Sequence, residues 1–157
     1  MFHVDSTKIP QIYFYRWRSI PFYKKATTFM SYVSNSNDID HIYFQKIRAK
    51  ARGGGTADFA KHNFTIELAN KHQLAGLTKD DDWILDASFL EKSVIRNKIS
   101  FDLFKLFNSS HKVPECRYLE VYKNFQYHGL YILLERMDKK RLEINKNDNT
   151  ACIFKEP

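Results

Sequence analysis

The stretch Asp82–Asn97 constrains the fold most, because a strand pattern in it passes directly into a helix pattern. Its first part, WILDA at 83–87, is a mostly apolar run that predicts a short buried strand. Ser88 and Glu91 then have the spacing of a capping box, in which two side chains bond the free amides at a helix start. The sequence therefore predicts a strand followed at once by a helix that begins near Ser88.

The expected helix continues to Asn108 and carries one apolar face. Its apolar residues recur every three or four positions, the spacing of an amphipathic helix on a core: Ile95, Ile99, Leu103 and Leu106, together with Phe104 and Phe107. Arg96 and Asn97 lie on the flank of that face. They could direct polar groups into a cleft, but on these two residues alone solvated side chains are the simpler interpretation.

The composition indicates one folded domain with an anionic partner. A chain of 157 residues, 43% of them hydrophobic, can bury a core and is not expected to be disordered. The net charge of +7 favours a nucleotide, nucleic acid, acidic protein or membrane surface without choosing among them. Cys116 and Cys152 lack metal-ligand spacing, and two buried thiols are favoured over a disulfide. Without a signal peptide or a membrane-length apolar run, a soluble cytoplasmic chain is the default expectation.

Three consecutive glycines follow a predicted strand over Ile42–Ala49, within the sequence RGGGT at Arg52–Thr56. Because glycine has no Cβ, such a turn can bring backbone N–H groups against phosphate oxygens. The spacing matches neither the P-loop nor the dinucleotide fingerprint, so a flexible hairpin tip explains it equally well. Phe64–Leu68 alternates as a half-buried strand, and Lys61 stands before it, close to the glycines if the two strands pair.

Four further segments have weaker patterns. Ile9–Trp17 could form an edge strand, and Ser34–Asp40 has the short polar residues of a loop. Lys79–Asp82 is interpreted as a solvated loop, because the side chains of adjacent aspartates diverge. A basic-aromatic patch is interpreted as core aromatics with extended basic side chains, not as a nucleic-acid surface: Tyr15, Arg16, Trp17, Arg18, Phe22, Tyr23, Lys24 and Lys25.

The last strong patterns, Tyr118–Tyr122 and Gly129–Glu135, predict a hairpin. Its second strand is apolar on both faces, which predicts a central strand covered on both sides. The predicted core is shared by sheet and helix: Trp83, Ile95, Ile99, Leu119, Ile132 and Leu134. The order strand, glycine turn, strand, strand, helix, strand, strand is that of a protein-kinase N-lobe. The predicted fold class is therefore α+β, an antiparallel sheet with one main helix.

Four segments in this order resemble the CotH kinase family, the atypical protein kinases typified by spore coat protein H. They are Ile47–Thr56 (IRAKARGGGT), Lys61–Leu68 (KHNFTIEL), Trp83–Asn97 (WILDASFLEKSVIRN) and Arg117–Glu135 (RYLEVYKNFQYHGLYILLE). They resemble the family's glycine turn, its basic-to-aromatic strand, its tryptophan strand leading to an Arg-Asn helix, and its terminal hairpin. The agreement of four segments in one order is far more specific than any single motif.

The resemblance implies a kinase that binds ATP with a divalent metal such as Mg²⁺ and transfers phosphate to serine on proteins. Carried over onto this chain, the nucleotide-binding residues are Gly53, Gly54, Gly55, Lys61, Arg96, Asn97 and Glu135. The glycines would cover the phosphates. Lys61 and Arg96 would face the phosphates, supported by Asn97. Glu135 would begin the hinge segment that passes the adenine.

The chain also departs from the family's pattern. The family's turn commonly reads Gly-Asn-Ser where this chain has three glycines, and its hairpin usually turns through Asn-Gly where this chain has Asn124-Phe125. The carboxylates that bind metal and activate the substrate in the family's second lobe have no counterpart after Glu135, since Asp138 and Asp148 lie in basic or polar turns. No catalytic or metal-ligating residue is therefore assigned.

The expected domain is residues 1–157, the N-terminal, nucleotide-binding part of a CotH-like kinase, with 1–40 a loosely matched extension. As a truncated kinase it would be catalytically incomplete alone. Its expected partners are ATP and either a protein substrate or a missing C-terminal lobe, with no membrane and no nucleic acid. The alternatives are a non-enzymatic basic module that binds an acidic protein or nucleic acid, and an inactive fragment.

Overall fold

The computed structural model describes residues 9–15, 20–34, 42–108, 110, 112–138 and 141–144. Seven strands and one helix lie within them: β1 (Gln11–Tyr15), β2 (Ala26–Val33), β3 (Ile42–Arg52), β4 (Asn63–His72), β5 (Asp80–Asp86), α1 (Arg96–Phe107), β6 (Cys116–Lys123) and β7 (Gln126–Glu135). The strands close into a barrel in the order β1-β2-β3-β4-β5-β7-β6. β1 and β6 pair in parallel and complete the ring, whereas the other neighbours are antiparallel.

The predicted fold class, an α+β kinase N-lobe, is wrong. The described residues are mostly strand and form a closed barrel, with one short helix outside it. Two strands account for the difference: β2 was not predicted, and β1 was expected at an edge but pairs on both sides. Together they continue the sheet from β3 round to β6. Closure pairs the backbone groups that an open sheet would leave exposed at its edges.

Alternate side chains of each strand fill the barrel, because successive residues of a strand point to opposite faces. On β3, Ala49 and Ala51 are buried, while Arg48 and Arg52 on the other face are exposed. The large interior side chains include Phe14, Tyr32, Phe64, Trp83, Leu119 and Tyr131. The predicted burial of Trp83 and Leu119 is confirmed.

A second, smaller apolar cluster lies outside the barrel. Cys116, Ile132 and Leu134 are buried in it, packed against Val94 and Phe101. β7 therefore has apolar contacts on both faces, which confirms the prediction of a strand covered on both sides. The same burial raises the pKa of the Cys116 thiol.

The helix starts later than predicted, at Arg96 instead of Ser88. Ser88 and Val94 have φ of 42° and 55°, a left-handed conformation that a right-handed helix does not contain. Glu91 still acts at the helix start, where its carboxylate accepts the backbone N–H of Ile95 at 2.7 Å and of Arg96 at 3.2 Å. The carboxylate satisfies amides that lack a partner within the helix and lies at the positive end of the helix dipole.

α1 lies on the surface, and none of its residues is buried among the described part of the chain. Ile95 and Ile99 are 43% and 48% exposed, so the prediction that both belong to the core is wrong. The helix contacts the outer cluster through Phe101 instead. The apolar spacing of the sequence therefore identified the helix but not the face by which it packs.

The remaining predictions concern loops, turns and termini. Asp80–Asp82 begins β5, so the prediction of a solvated loop there is wrong. The hairpin of β6 and β7 is confirmed, and Asn124 and Phe125 at its tip both have positive φ, 47° and 70°. The loop at 35–40, most of residues 1–10, the patch residues at 16–18 and Cys152 lie outside the described residues. Across the described ranges, no helix has both the length and the apolar character needed to cross a membrane.

Candidate functional site

A cleft of about 1060 Å³ lies on the outer face of the barrel, beside the glycine turn. The register of four strands places one row of its lining residues side by side: Lys50, Thr65, Ile84 and Leu134. The glycine turn, the first part of α1 and the residues that follow β7 complete the lining. Ligand pockets in proteins commonly have volumes of about 300–1000 Å³. The cleft is therefore large enough for a nucleotide, and it offers both polar and apolar surface.

The glycine turn joins β3 to β4 and is open towards the cleft. Gly53 has φ of +122°, and a Cβ there would collide with the Thr56 hydroxyl, so this position requires glycine. At Gly54 and Gly55 an added Cβ would meet nothing within 4 Å. Thr56 Oγ1 is buried without a hydrogen-bond partner among the described residues. Because buried hydroxyls are normally hydrogen-bonded, a ligand oxygen at the turn would satisfy this one.

Lys50 and Arg52 project from β3 into the cleft next to that turn. Neither forms an ion pair with any residue that the structure describes. Partial loss of hydration in the cleft, followed by the neighbouring Arg136, lowers the pKa of the Arg52 guanidinium although the side chain as a whole is exposed, while Asp86 acts in the opposite direction. The two cations therefore carry charge that no direct ion pair in this part of the chain neutralises.

The other two cations that line the cleft, Lys25 and Arg136, are neutralised. Lys25 forms ion pairs with Glu67 and with Asp82, the latter at 3.5 Å. Asp82 also pairs with Arg136 at 3.1 Å, and Glu67 with Arg48 at 3.4 Å. The hydrogen bond from Lys25 lowers the pKa of Glu67 most, and the nearby arginines add to the effect. Within the cleft, the positive charge without an ion pair among the described residues is therefore carried by Lys50 and Arg52.

Asp86 connects the end of β5 to the start of α1. Its Oδ2 accepts a hydrogen bond from Asn97 Nδ2 at 2.7 Å, and its Oδ1 accepts the backbone N–H of Ser88 at 2.8 Å. Asn63 on β4 supports the same corner, since its Oδ1 accepts the backbone N–H of Ala87 at 2.6 Å. Asn97 is therefore held at the rim of the cleft by a carboxylate whose two oxygens are both engaged.

Glu135, at the other rim of the cleft, is buried and joins three segments. Its carboxylate accepts the backbone N–H groups of Thr78 at 3.1 Å and of Glu115 at 2.9 Å. It also forms an ion pair with Arg141 at 2.6 Å. These contacts fix the chain where it leaves β7.

Four of the seven residues predicted to bind nucleotide line the cleft: Gly53, Gly54, Asn97 and Glu135. The other three, Gly55, Lys61 and Arg96, do not line it. Lys61 Nζ instead donates hydrogen bonds to the backbone carbonyls of Ala87 at 2.9 Å and Leu130 at 2.5 Å. Arg96 is exposed at the helix start. The structure thus brings together the glycine turn, the start of the helix and the end of β7. The two predicted cations, Lys61 and Arg96, lie outside this cleft.

Several polar residues of the cleft were not predicted, among them four that matter most for its chemistry: Lys50, Arg52, Thr56 and Asp86. The signal for the first two was present, because the alternation of β3 puts them on the face opposite Ala49 and Ala51. Asp86 was interpreted only as part of a buried strand. The buried hydroxyl of Thr56 follows from the shape of the turn, for which the sequence carried no signal.

The described residues do not fit a metal site. They contain no group of three or more His, Cys, Asp or Glu side chains that could hold an ion. The two carboxylates that line the cleft, Asp86 and Glu135, already accept hydrogen bonds on both oxygens.

Comparison with known proteins adds one finding about the family. A family model described as CotH kinase protein matches residues 49–156, more than half of the chain. This chain belongs to the CotH kinase family. The CotH match includes every residue that lines the cleft except Lys25, and it excludes β1 and β2. Comparison with curated proteins gave no match. Membership in the CotH kinase family supports a kinase-like function at the level of the family.

Proposed function

We propose that the cleft beside the glycine turn is the ATP site of this CotH kinase chain. The observation that carries the proposal is the pair of cations Lys50 and Arg52, which lack ion-pair partners in the described residues and stand beside a turn without obstructing side chains. The triphosphate of ATP carries the negative charge that would neutralise these two cations. Charge-assisted hydrogen bonds to phosphate are also among the stronger hydrogen bonds in proteins.

The phosphates would lie along the glycine turn. The open side of Gly54 allows a phosphate oxygen to approach the backbone, and the hydroxyl of Thr56 has a hydrogen bond to donate. Lys50 and Arg52 would bind the same oxygens from the strand below. The amide of Asn97, held by Asp86, would contact the ligand from the helix side.

The adenine would lie on the apolar part of the cleft. Ile84 and Leu134 face it from two neighbouring strands, and Phe101 faces it from α1. Burial of this apolar surface would contribute to binding in proportion to its area. Glu135 would not bind the base directly. Its carboxylate accepts the backbone N–H groups of Thr78 and Glu115, and these bonds would fix the chain where it turns past the base.

Nucleotide binding, and not phosphoryl transfer by these residues alone, is the activity proposed. Transfer requires a group that accepts the proton of the substrate hydroxyl and charge that stabilises the transferring phosphoryl group. The carboxylates of the cleft, Asp86 and Glu135, hold the fold together through hydrogen bonds and are poorly placed to accept that proton.

Isothermal titration calorimetry with ATP tests the proposal. Replacing Arg52 with alanine should weaken binding by about ten- to a hundredfold, the effect of losing a hydrogen bond from a charged group. Lys50→Ala should weaken it by a similar factor. Arg48→Ala is the matched control, because Arg48 lies on the same face of the same strand but is paired with Glu67 outside the cleft. We expect the control to change affinity by less than about twofold.

Two results would contradict the proposal. An equal loss of ATP affinity in Arg48→Ala and Arg52→Ala would mean that ATP binding depends only on the overall positive charge of the protein. Binding of single-stranded RNA or an acidic protein by a chain that shows no heat of ATP binding would favour the basic binding module over a nucleotide site.

A further inference from the structure

A second cavity, of about 330 Å³, shares no lining residue with the cleft. It lies at the end of the barrel where β4 begins and β6 ends. Its lining is mainly apolar but includes two groups that can carry positive charge: Ile20, Pro21, Phe22, Tyr23, Phe64, His62 and Lys123. Its apolar side chains are therefore suited to the apolar part of a ligand, and Lys123 and His62 are suited to an anionic group.

Two histidines at this end of the barrel have buried nitrogens without a hydrogen-bond partner in the described residues. They are His62 Nδ1 and His128 Nε2. His62 packs edge-on against Phe22 at 5.1 Å between ring centroids, and His128 stacks on Tyr131 at 5.9 Å. Buried polar atoms are rarely left unsatisfied in proteins, so these two nitrogens indicate a missing partner.

Two lysines lie over the aromatic rings that these histidines contact. Lys123 Nζ lies 5.0 Å from the centroid of the Phe64 ring, and Lys61 Nζ lies 4.2 Å from the centroid of the Tyr131 ring. Gly129, with φ of +124°, leaves room for Lys61, whose Cε would be 3.2 Å from a Cβ at that position. The fold therefore carries two ammonium groups over aromatic rings beside the unsatisfied imidazoles.

We propose that this cavity at the end of the barrel binds a small organic anion, whose carboxylate or phosphate head meets Lys123 and His62 and whose apolar body contacts Phe22 and Phe64. An anion would supply the hydrogen-bond partner that His62 Nδ1 lacks, and its charge would act on the neighbouring His128, which does not line the cavity. It would also bring negative charge to a place where two ammonium groups are partly removed from water.

The electrostatics agree with this geometry. Burial, followed by the charges of Lys123, Lys61 and His62, lowers the pKa of His128 to about 4. Burial alone lowers the pKa of Lys123 to about 8. Each charged group that acts on His128 is thus positive, and a bound anion would offset that positive field.

The test uses the whole chain and phenyl phosphate as the probe, followed by the side-chain ¹⁵N resonances of the histidines. We expect the resonances of His62 and His128 to shift and those of His72, on β4 away from the cavity, to stay in place. The pKa of His128 should rise by at least about one, equivalent to a tenfold preference of the anion for the protonated form. Benzoate should cause the same shifts if the site accepts either head group. If the site accepts only phosphates, phenyl phosphate should cause the shifts and benzoate should not.

Variants separate this site from the ATP site. Lys123→Met should abolish the shifts and Lys123→Arg should retain them, whereas Arg52→Ala should leave them unchanged even if it removes ATP binding. Benzyl alcohol, which has an apolar body without charge, provides a control on the unmodified protein. Equal shifts with benzyl alcohol and phenyl phosphate, or no shift of His62 and His128 with any of the anions, would overturn the proposal.

Discussion

Gly53 shows how one residue sets the shape of the candidate ATP site. Its φ of +122° is open to glycine and rarely to other residues, and a Cβ there would meet the Thr56 side chain. Gly54, its neighbour, has ordinary φ and open space around it. The run of glycines therefore contains one position that the fold requires, Gly53, and two, Gly54 and Gly55, at which an added Cβ would meet no protein atom.

We expect Gly53→Ala to lower the free energy of unfolding by roughly 1–3 kcal/mol, the usual effect of forcing a side chain into such a conformation. Gly54→Ala should change it by less than about 0.5 kcal/mol, as an ordinary surface substitution does. Urea unfolding measures both. Equal losses in the two variants would mean that the turn does not have the conformation described.

His128 gives the stability a dependence on pH. Its pKa is about 4 in the folded chain, lowered mainly by burial from an ordinary value of 6.5. Between these values the unfolded chain binds a proton that the folded chain does not, so the free energy of unfolding should fall as the pH drops from 6.5 towards 4. The carboxylates with lowered pKa, such as Glu67 and Glu115, lose their contribution mainly below about pH 5, so the range from about 5 to 6.5 reports chiefly on the histidine.

Urea unfolding at several pH values between 5 and 6.5 checks this expectation. Wild type should lose stability across the range, and His128→Gln should lose less because it has no group to protonate at this position. The same pH dependence in both proteins would show that His128 is not buried as described.

At the scale of elements, α1 is where the sequence was least informative. Its apolar spacing is genuine, yet the faces of Ile95 and Ile99 are exposed and the contact with the barrel is made by Phe101. The left-handed residues Ser88 and Val94 decide where the helix starts and how it is rotated. Such backbone conformations depend on the packing around them, so the helical period alone could not give the buried face.

Alanine substitutions measure which face packs. Ile132→Ala should lower the free energy of unfolding by about 2–5 kcal/mol, because Ile132 is fully buried in the outer cluster. Phe101→Ala should have a smaller loss of more than about 1 kcal/mol, whereas Ile99→Ala should stay within about 0.5 kcal/mol. Urea unfolding distinguishes the two helix positions. A larger loss of unfolding free energy for Ile99→Ala than for Phe101→Ala would mean that the helix packs by the face predicted from the apolar spacing.

The strands were the more predictable elements, because a period of two directly reports which face is buried. β7 was predicted with its two covered faces, and the alternation in Phe64–Leu68 appears as buried Phe64, Ile66 and Leu68. Asp80–Asp82 was missed because three acidic side chains rarely start a strand. In the structure Asp82 is paired with Lys25 and Arg136, contacts between segments distant in sequence.

At the scale of the whole molecule, closure of the barrel was the feature that the sequence could not supply. It depends on the parallel pairing of β1 with β6, between residues more than a hundred positions apart, such as Gln11 and Glu120. A hydrogen bond from Gln11 Nε2 to Glu120 Oε2 at 3.0 Å reinforces that seam. The family resemblance, by contrast, depended on local motifs that the fold leaves intact, and the family match confirms it.

Closure also decides where the candidate site lies. The cleft uses outward-facing residues of β3, β4, β5 and β7, while the second cavity lies at the end of the barrel. Lys61, predicted to face the phosphates, belongs to that end through its contacts with Leu130 and Tyr131. The fold therefore puts Lys61 in a different place from Lys50 and Arg52, the cations that line the cleft beside the glycine turn.

Mapping of backbone amide shifts on addition of ATP tests the central claim most directly. The outer cleft predicts shifts at Gly53, Gly54, Thr56 and Asn97, with loss of those shifts in Arg52→Ala and their retention in Arg48→Ala. Shifts concentrated at His62, His128 and Gly129, with the glycine turn unaffected, would contradict it and place the nucleotide at the end of the barrel.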